Sequence, residues 1–318
     1  MGNKDSAWQR FLMHEEIVEG LLELAVDVGH GMFPELNLQR MPTREIVFLK
    51  NRGNREKAVG RERDGCWRMT WKQPDGRQAS AILGIEVQSD IDPAMAVRVA
   101  MEDAINYSTQ AEEETESRKG KGTGDGNGAF LYPGLPPRPL ELAVTLVIYT
   151  GKRPWDAPCD LREMVGVPRP FLPDDVPGFQ FRLLDLRRVP EKKLGTTEKN
   201  SRSVIKYLKV QEDKEALRKL LETDEDYQAV PVDTARVIRA ITNASFKIPR
   251  NKESVNMCKA EQELCEEARN QGIAKGRDEG IQVYVSKLRR LGVAEEDILT
   301  ALVEDFQLST DQARAYLQ

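Results

Sequence analysis

The segment 81–88, Ala-Ile-Leu-Gly-Ile-Glu-Val-Gln, constrains this chain more than any other, because it is an apolar extended run carrying a carboxylate and an amide two positions apart. On a strand, residues two apart share a face, so Glu86 and Gln88 point one way while Leu83, Ile85 and Val87 point the other. Such a strand reads as buried, and a buried carboxylate costs on the order of several kcal/mol unless hydrogen bonds or a cation compensate. The flanking sequence supplies partners. Residues 66–71 alternate Trp67, Met69 and Trp71 with other residues, and Pro74-Asp75-Gly76 has the turn chemistry of a hairpin. Its antiparallel return brings Asp64, at the start of the first hairpin strand, toward Glu86. Asp92-Pro93 caps and opens a helix expected at 94–110. Residues 140–149 form a nearly continuous apolar strand, expected inside a sheet covered on both faces.

Around this centre the chain divides into an α/β part and a helical part. Residues 6–28 place Phe11, Leu12, Ile17, Val18, Leu21 and Leu22 at helical spacing, with Glu15, Glu16, Glu19 and Glu23 mostly on a solvated face. Residues 36–57 are ambiguous, with one short apolar run at 46–49. Residues 111–130 read as a flexible glycine-rich loop. It lacks the Gly-Lys-Ser/Thr ending of a phosphate-cradling loop, and a calcium loop fails because its twelfth position would be Gly134. A proline-rich stretch at 158–177 leads to a strand at 179–186. Beyond Pro190 the pattern turns wholly helical, with Gly272, Gly276 and Gly280 on one helix face and Ser309 with Gln312 as a capping box. The expected organisation is a core over 1–190, with a mixed sheet flanked by helices, and an all-helical region over 191–318.

Composition removes most chemistries. With 2 histidines (His14 and His30) and 4 cysteines (Cys66, Cys159, Cys258 and Cys265), none in Cys-x-x-Cys or His-x-x-x-His spacing, a zinc site would have to draw on scattered residues, and buried, reduced thiols are expected. Carboxylates remain as the carriers of any catalysis, alone or with an oxygen-liking cation such as magnesium. A net charge of -5 argues against coating nucleic acid through the overall field, but leaves room for a local basic cleft. No apolar run approaches the roughly 20 residues that cross a bilayer, and the first residues carry no secretory signal, so a cytoplasmic protein without membrane contact is expected.

An acid-bearing helix, then an Asp, then a hairpin into a strand ending Glu-x-Gln resembles the layout of the PD-(D/E)XK nucleases. More narrowly, Arg63-Asp64, the run 82–98 (Ile-Leu-Gly-Ile-Glu-Val-Gln-Ser-Asp-Ile-Asp-Pro-Ala-Met-Ala-Val-Arg) and the run 147–155 (Val-Ile-Tyr-Thr-Gly-Lys-Arg-Pro-Trp) are similar to the recombination-promoting nucleases, a transposase-like family. Lys4-Asp5-Ser6-Ala7-Trp8, residues 103–110 and the tail around Leu308-Ser309 extend the likeness over nearly the whole chain. The resemblance implies a PD-(D/E)XK restriction-endonuclease-like fold and a magnesium- or manganese-dependent DNA endonuclease, serving recombination, transposition or phage defence. Asp64 and Glu86 would hold the metal with the carbonyl of Val87, and Glu19 matches the helix acid of that site. Gln88 stands where the superfamily carries lysine; it could orient water but brings no charge. DNA would lie on a rim drawn from Arg98, Lys152 and Arg153, with Arg187 and Arg188 nearby. Tyr107 and Gln110 match recurring positions that could line the site, and a homodimer through the C-terminal helices is a further expectation. Two rivals keep the fold: a catalytically inactive DNA- or partner-binding protein in which Gln88 marks a decayed site, and acids that merely satisfy a structural network.

Overall fold

The computed structural model describes residues 3–26, 33–50, 56–119, 139–242, 244–249 and 251–317. In chain order the elements are α1 (Asn3–Phe11), α2 (Glu15–Val26), β1 (Asn37–Arg40), β2 (Arg44–Lys50), β3 (Glu56–Glu62), β4 (Gly65–Lys72), β5 (Gln78–Gln88), α3 (Met95–Lys119), β6 (Leu142–Tyr149) and β7 (Arg182–Asp185). Then follow α4 (Glu191–Leu194), α5 (Lys199–Val210), α6 (Lys214–Thr223), β8 (Val230–Pro231), α7 (Val232–Thr242), β9 (Ser254–Val255), α8 (Met257–Arg290), α9 (Glu295–Phe306) and α10 (Thr310–Ala315).

The expected hairpin is present: β4 and β5 pair antiparallel from Gly65↔Ile85 to Lys72↔Gln78, and Gly76 takes φ 82° in the turn, a conformation that an L side chain resists. The five-stranded sheet runs β1-β4-β5-β6-β7, antiparallel up to β5 and parallel from β5 to β7. It is therefore mixed, with helix α3 lying in the crossover between β5 and β6. Ile82, Leu83, Ile85, Leu146, Val147 and Ile148 are all 0% exposed, so β5 and β6 are covered on both faces. Met95, Ala96 and Val99 of α3 pack on Val147 and Phe181. Asp92 caps that helix through its carboxylate, which accepts from the Ala94 N–H at 2.9 Å.

Several expectations need correcting. The single N-terminal helix is two. Met13 N–H closes onto Arg10 O and His14 N–H onto Phe11 O, tightening the last turn of α1, which packs on α7 while α2 packs on β7 and α5. The ambiguous stretch becomes β1 and a separate β2–β3 ribbon. The loop expected at 111–130 begins later, because the Glu-, Lys- and Arg-rich residues up to Lys119 are good helix formers and extend α3; the glycine-rich remainder lies outside the described residues, as does His30. The boundary also moves. The chain divides into one unit of Met1–Ala244 with Ile248–Asn256 and a second of Ser245–Lys247 with Met257–Gln318, so helices α4 to α7 belong with the sheet rather than apart from it. The region after Pro190 is nearly, not wholly, helical, since β8 and β9 pair antiparallel.

In the second unit Ile281, Val285, Ile298, Leu302 and Ala313 form a small core, and the Ser309–Gln312 capping box opens α10 as expected. The middle of α8 is exposed, and a Cβ at Gly272, Gly276 or Gly280 would meet nothing within 4 Å. Of the four thiols expected to be buried, only Cys66 is; Cys159 and Cys258 are half-buried and Cys265 is exposed, because the surface of α8 carrying it packs against nothing described.

Candidate functional site

The β4–β5 register places Asp64 opposite Glu86, one step beyond the Gly65↔Ile85 pair. Asp64 Oδ2 accepts the Val87 N–H at 2.8 Å, which fixes that carboxylate against the backbone next to Glu86. The Glu86 side chain is 1% exposed. Its Oε2 accepts from Arg98 Nη2, and its Oε1 is buried without a hydrogen-bond partner among the described residues.

A charge network surrounds that carboxylate. One turn along α3 from Arg98 stands Glu102, whose Oε1 accepts from Arg98 Nε at 3.4 Å. Glu102 Oε2 is a second buried orphan, 3.8 Å from Arg63 Nε and thus paired by charge but not by a hydrogen bond. Arg63 donates to Asp103 Oδ1 at 2.8 Å and to Thr145 Oγ1 at 3.3 Å, and Thr145 donates to the same Asp103 oxygen at 2.9 Å. Gly84 makes room for it: a Cβ there would lie 1.5 Å from Arg63 Nη1. Three carboxylates (Glu86, Glu102, Asp103) thus face two guanidinium groups (Arg63, Arg98), an excess of one negative charge where solvent is scarce. Burial pushes the Glu102 carboxyl above its ordinary range, against the pull of Arg63 and Arg98. A bound cation or a shared proton would complete such a cluster.

The remaining expected site residues fall in three places. Gln88 shares the Glu86 face; its carbonyl accepts from Thr150 N–H at 2.9 Å, and its amide group has no hydrogen-bond partner among the described residues. Val87 is held by Asp64, as above. Among the described residues no three His, Cys, Asp or Glu side chains stand close enough to share an ion, so Glu19, Asp64 and Glu86 do not make a three-acid group; Glu102 of α3 shares Arg98 with Glu86. Tyr107 and Gln110 do not line the site. Tyr107 Oη accepts from Ala143 N–H at 3.1 Å, and Gln110 accepts from Glu141 N–H at 2.7 Å, so both grip the entry of β6. Ala143 is paired with Ile82, four residues and about 13 Å from Glu86 along the strand. Trp155 packs edge-on to Tyr149 and Phe181 and belongs to the core. Sequence reasoning missed Glu102, Asp103 and Arg63, although the Arg98–Glu102 spacing of four on a helix was a readable sign of pairing.

Beyond Gln88 the carboxyl ends of β5 and β6 open into a cleft of about 760 Å³ whose lining includes Tyr149, Lys152, Arg153, Arg187 and Glu212. Ligands of open α/β sheets bind at such strand ends. Of the residues expected on a basic rim, Lys152 and Arg153 line this cleft together with Arg187, and each has an acidic partner: Lys152 with Glu212 at 2.9 Å, Arg187 with Glu212 at 3.8 Å, Arg153 with Asp156 at 3.2 Å; Arg188, outside the lining, pairs with Asp185 at 2.8 Å. Arg98 points instead to Glu86 and Glu102, with Asp92 at 3.9 Å.

Among known proteins, the family model described as "Putative transposase, YhgA-like" matches residues 67–230, which run from within β4 to the first residue of β8 and include Glu86, the α3 acids and most of the cleft lining, with Asp64 just outside. No curated protein and no solved structure matches the chain. No described helix is long and apolar enough to cross a membrane.

Proposed function

The chain belongs to the YhgA-like putative transposases, and from that premise we propose that it is a metal-dependent DNA endonuclease, cutting phosphodiester bonds where Asp64 meets Glu86. The observation that carries this reading is the buried, unsatisfied Oε1 of Glu86 beside a second carboxylate fixed by the backbone. A protein that only needed to fill space there would place an apolar residue, since an unpaired buried carboxylate oxygen is destabilising.

Asp64 and Glu86 fit as the pair that would hold magnesium or manganese, hard cations that take oxygen ligands. When bound, such an ion lowers the pKa of its water, polarises the phosphoryl oxygen and offsets charge in the transition state. The protein's own residues do the rest. The Val87 N–H orients Asp64, Arg98 orients Glu86 from α3, and the packing of α3 over the sheet keeps bulk water from Glu86. The unengaged amide of Gln88, on the Glu86 face, would accept from and align the attacking water.

Plasmid cleavage tests this. Purified full-length protein should nick or cut in magnesium and not in EDTA, and Glu86→Ala should lower the rate by at least about 100-fold. Equal cutting by the variant, or none by the wild type in either metal, would end the endonuclease reading. The second reading, an inactive protein that binds DNA or a partner, is favoured by one feature: Arg98 already occupies the other oxygen of Glu86, and Gln88 brings no charge. It expects salt-sensitive DNA binding without cleavage.

A further inference from the structure

The cleft beside Gln88 carries a carboxylate in an unusual position. Glu212 sits in the turn between α5 and α6 and is more than half exposed, yet its Oε1 faces two cations from other elements: Lys152 Nζ at 2.9 Å and Arg187 Nη1 at 3.8 Å. Lys152 is itself 72% exposed, so this pair is free to open. Arg187 is not free. Its side chain is 14% exposed and is braced by two backbone carbonyls, Nε donating to Thr150 O at 3.1 Å and Nη1 to Leu208 O at 2.9 Å. A guanidinium has five N–H donors, and two carbonyls leave some unsatisfied toward the cleft. Next to it stands Tyr149, whose hydroxyl makes no hydrogen bond among the described residues. Gly151 lets it stand there, because a Cβ at that position would lie 2.1 Å from the hydroxyl oxygen.

We propose that this cleft is a phosphate site in which Glu212 is a built-in placeholder, its carboxylate resting between Lys152 and Arg187 until a phosphate of a nucleic-acid strand replaces it. A carboxylate and a phosphate each present a pair of acceptor-only oxygens along one edge to a guanidinium, so the cation pair that holds one suits the other. The Lys152 ammonium keeps the Glu212 carboxyl below its ordinary range, the same preference for an anion seen from the acid's side. With Glu212 swung out, Asp90 is the remaining acid among the described residues that line the cleft with Lys152, Arg153 and Arg187, while Arg153 keeps Asp156 as its partner at the rim. The turn carrying Glu212 is tied down at its next residue, where Asp213 caps α6 by accepting from Glu215 and Ala216 N–H at 3.0 Å, so release requires side-chain rotation and leaves the helices in place. The site begins one residue past Gln88 and three past Glu86, and it rests on the nuclease reading for the identity of its ligand as nucleic acid.

The test is binding without metal, so that it does not depend on cleavage. Full-length protein in EDTA is titrated against a fluorescein-labelled single-stranded oligodeoxynucleotide and read by anisotropy. Glu212→Gln should tighten binding by about tenfold and Lys152→Ala should weaken it by about threefold or more, both effects shrinking as salt rises. In the Glu212→Gln background, Lys152→Ala should lose more than it does alone, because the cation no longer has an acid to leave. Displacement of the strand by a deoxynucleoside monophosphate would assign the site to a terminal phosphate, and failure to displace it would assign internal phosphodiesters. Unchanged or weaker binding by Glu212→Gln, with its circular dichroism and melting temperature intact, would overturn the placeholder. Metal-dependent cutting by a protein that fails this test would leave the nuclease reading standing alone, and strand binding that responds to Glu212 in a protein that never cuts would do the reverse.

Discussion

Two charged regions adjoin the carboxyl end of β5, one around Glu86 and one just past Gln88, and they are built on opposite principles. In the cluster around Glu86, the acids and Arg63 are at most 4% exposed, and almost every charge is fixed by more than one partner. In the cleft past Gln88, Lys152 and Glu212 are 72% and 56% exposed and hold each other through a single contact. A buried pair cannot lose a member without stranding the other in low dielectric, whereas an exposed pair exchanges its partner for water at little cost. The first arrangement sets geometry and the second leaves room for an incoming anion.

The sharpest way to break this contrast is Arg63→Met, which keeps much of the volume and removes the charge. Glu102 would lose an ion-pair partner and Asp103 a hydrogen-bond donor, and the loss expected for stripping one member from a buried pair is about 3–5 kcal/mol. Denaturant unfolding measures it. A loss below about 1 kcal/mol would mean that the cluster is as pliable as the cleft and that the Glu86 corner is not preset by α3.

A subtler variant asks whether the cluster really holds one negative charge too many. The folded pKa of Glu102 stands above its ordinary 4.5, with burial as the main cause. The folded state therefore binds that proton more tightly than the unfolded chain does, and stability falls as pH rises from about 4.5 through the folded value. Above that value the charged form weighs on the fold. Glu102→Gln removes the charge while keeping the shape, so at neutral pH it should melt a few degrees above wild type, roughly the shift that 1 kcal/mol produces in a unit of this size. The gap should close as pH falls toward 4.5. A variant that melts lower than wild type at neutral pH would show that Arg63 and Arg98 need the charge, and the cluster would then count as balanced.

The two regions were also unequally legible. The hairpin could be read because its period of two and its Pro-Asp-Gly turn are local signals, and they fixed the register that sets Asp64 against Glu86. The strand 142–149 was equally plain, since a parallel strand covered on both faces is apolar throughout. The charge network behind Glu86 was not legible in the same way. Arg63 meets Asp103 and Thr145 across separations of 40 and 82 residues, and nothing in composition or spacing announces a contact of that range. Tyr107 and Gln110 were placed on the right helix, but the face they present is set by the packing of Met95, Ala96 and Val99, and it carries them to the entry of β6. Glu19 was named by analogy of layout, and nothing in that analogy announced that Arg98 and Glu102 reach Glu86 from α3, the crossover helix.

The smallest expected effect belongs to the cleft, and its smallness is the point. Lys152→Ala removes an ion pair whose two side chains are mostly in water, so its stability should change by no more than about 1 kcal/mol, and by less as salt screens the pair. Arg188 holds the Lys152 carbonyl at 2.9 Å, a bond that survives the substitution because it uses the backbone. The local chain therefore keeps its course when the ammonium is gone. Unfolding by urea at low and high salt gives the number directly. A loss approaching that of Arg63→Met would mean that Lys152 is a structural residue, that Glu212 is its permanent partner, and that the cleft is as locked as the cluster beside it.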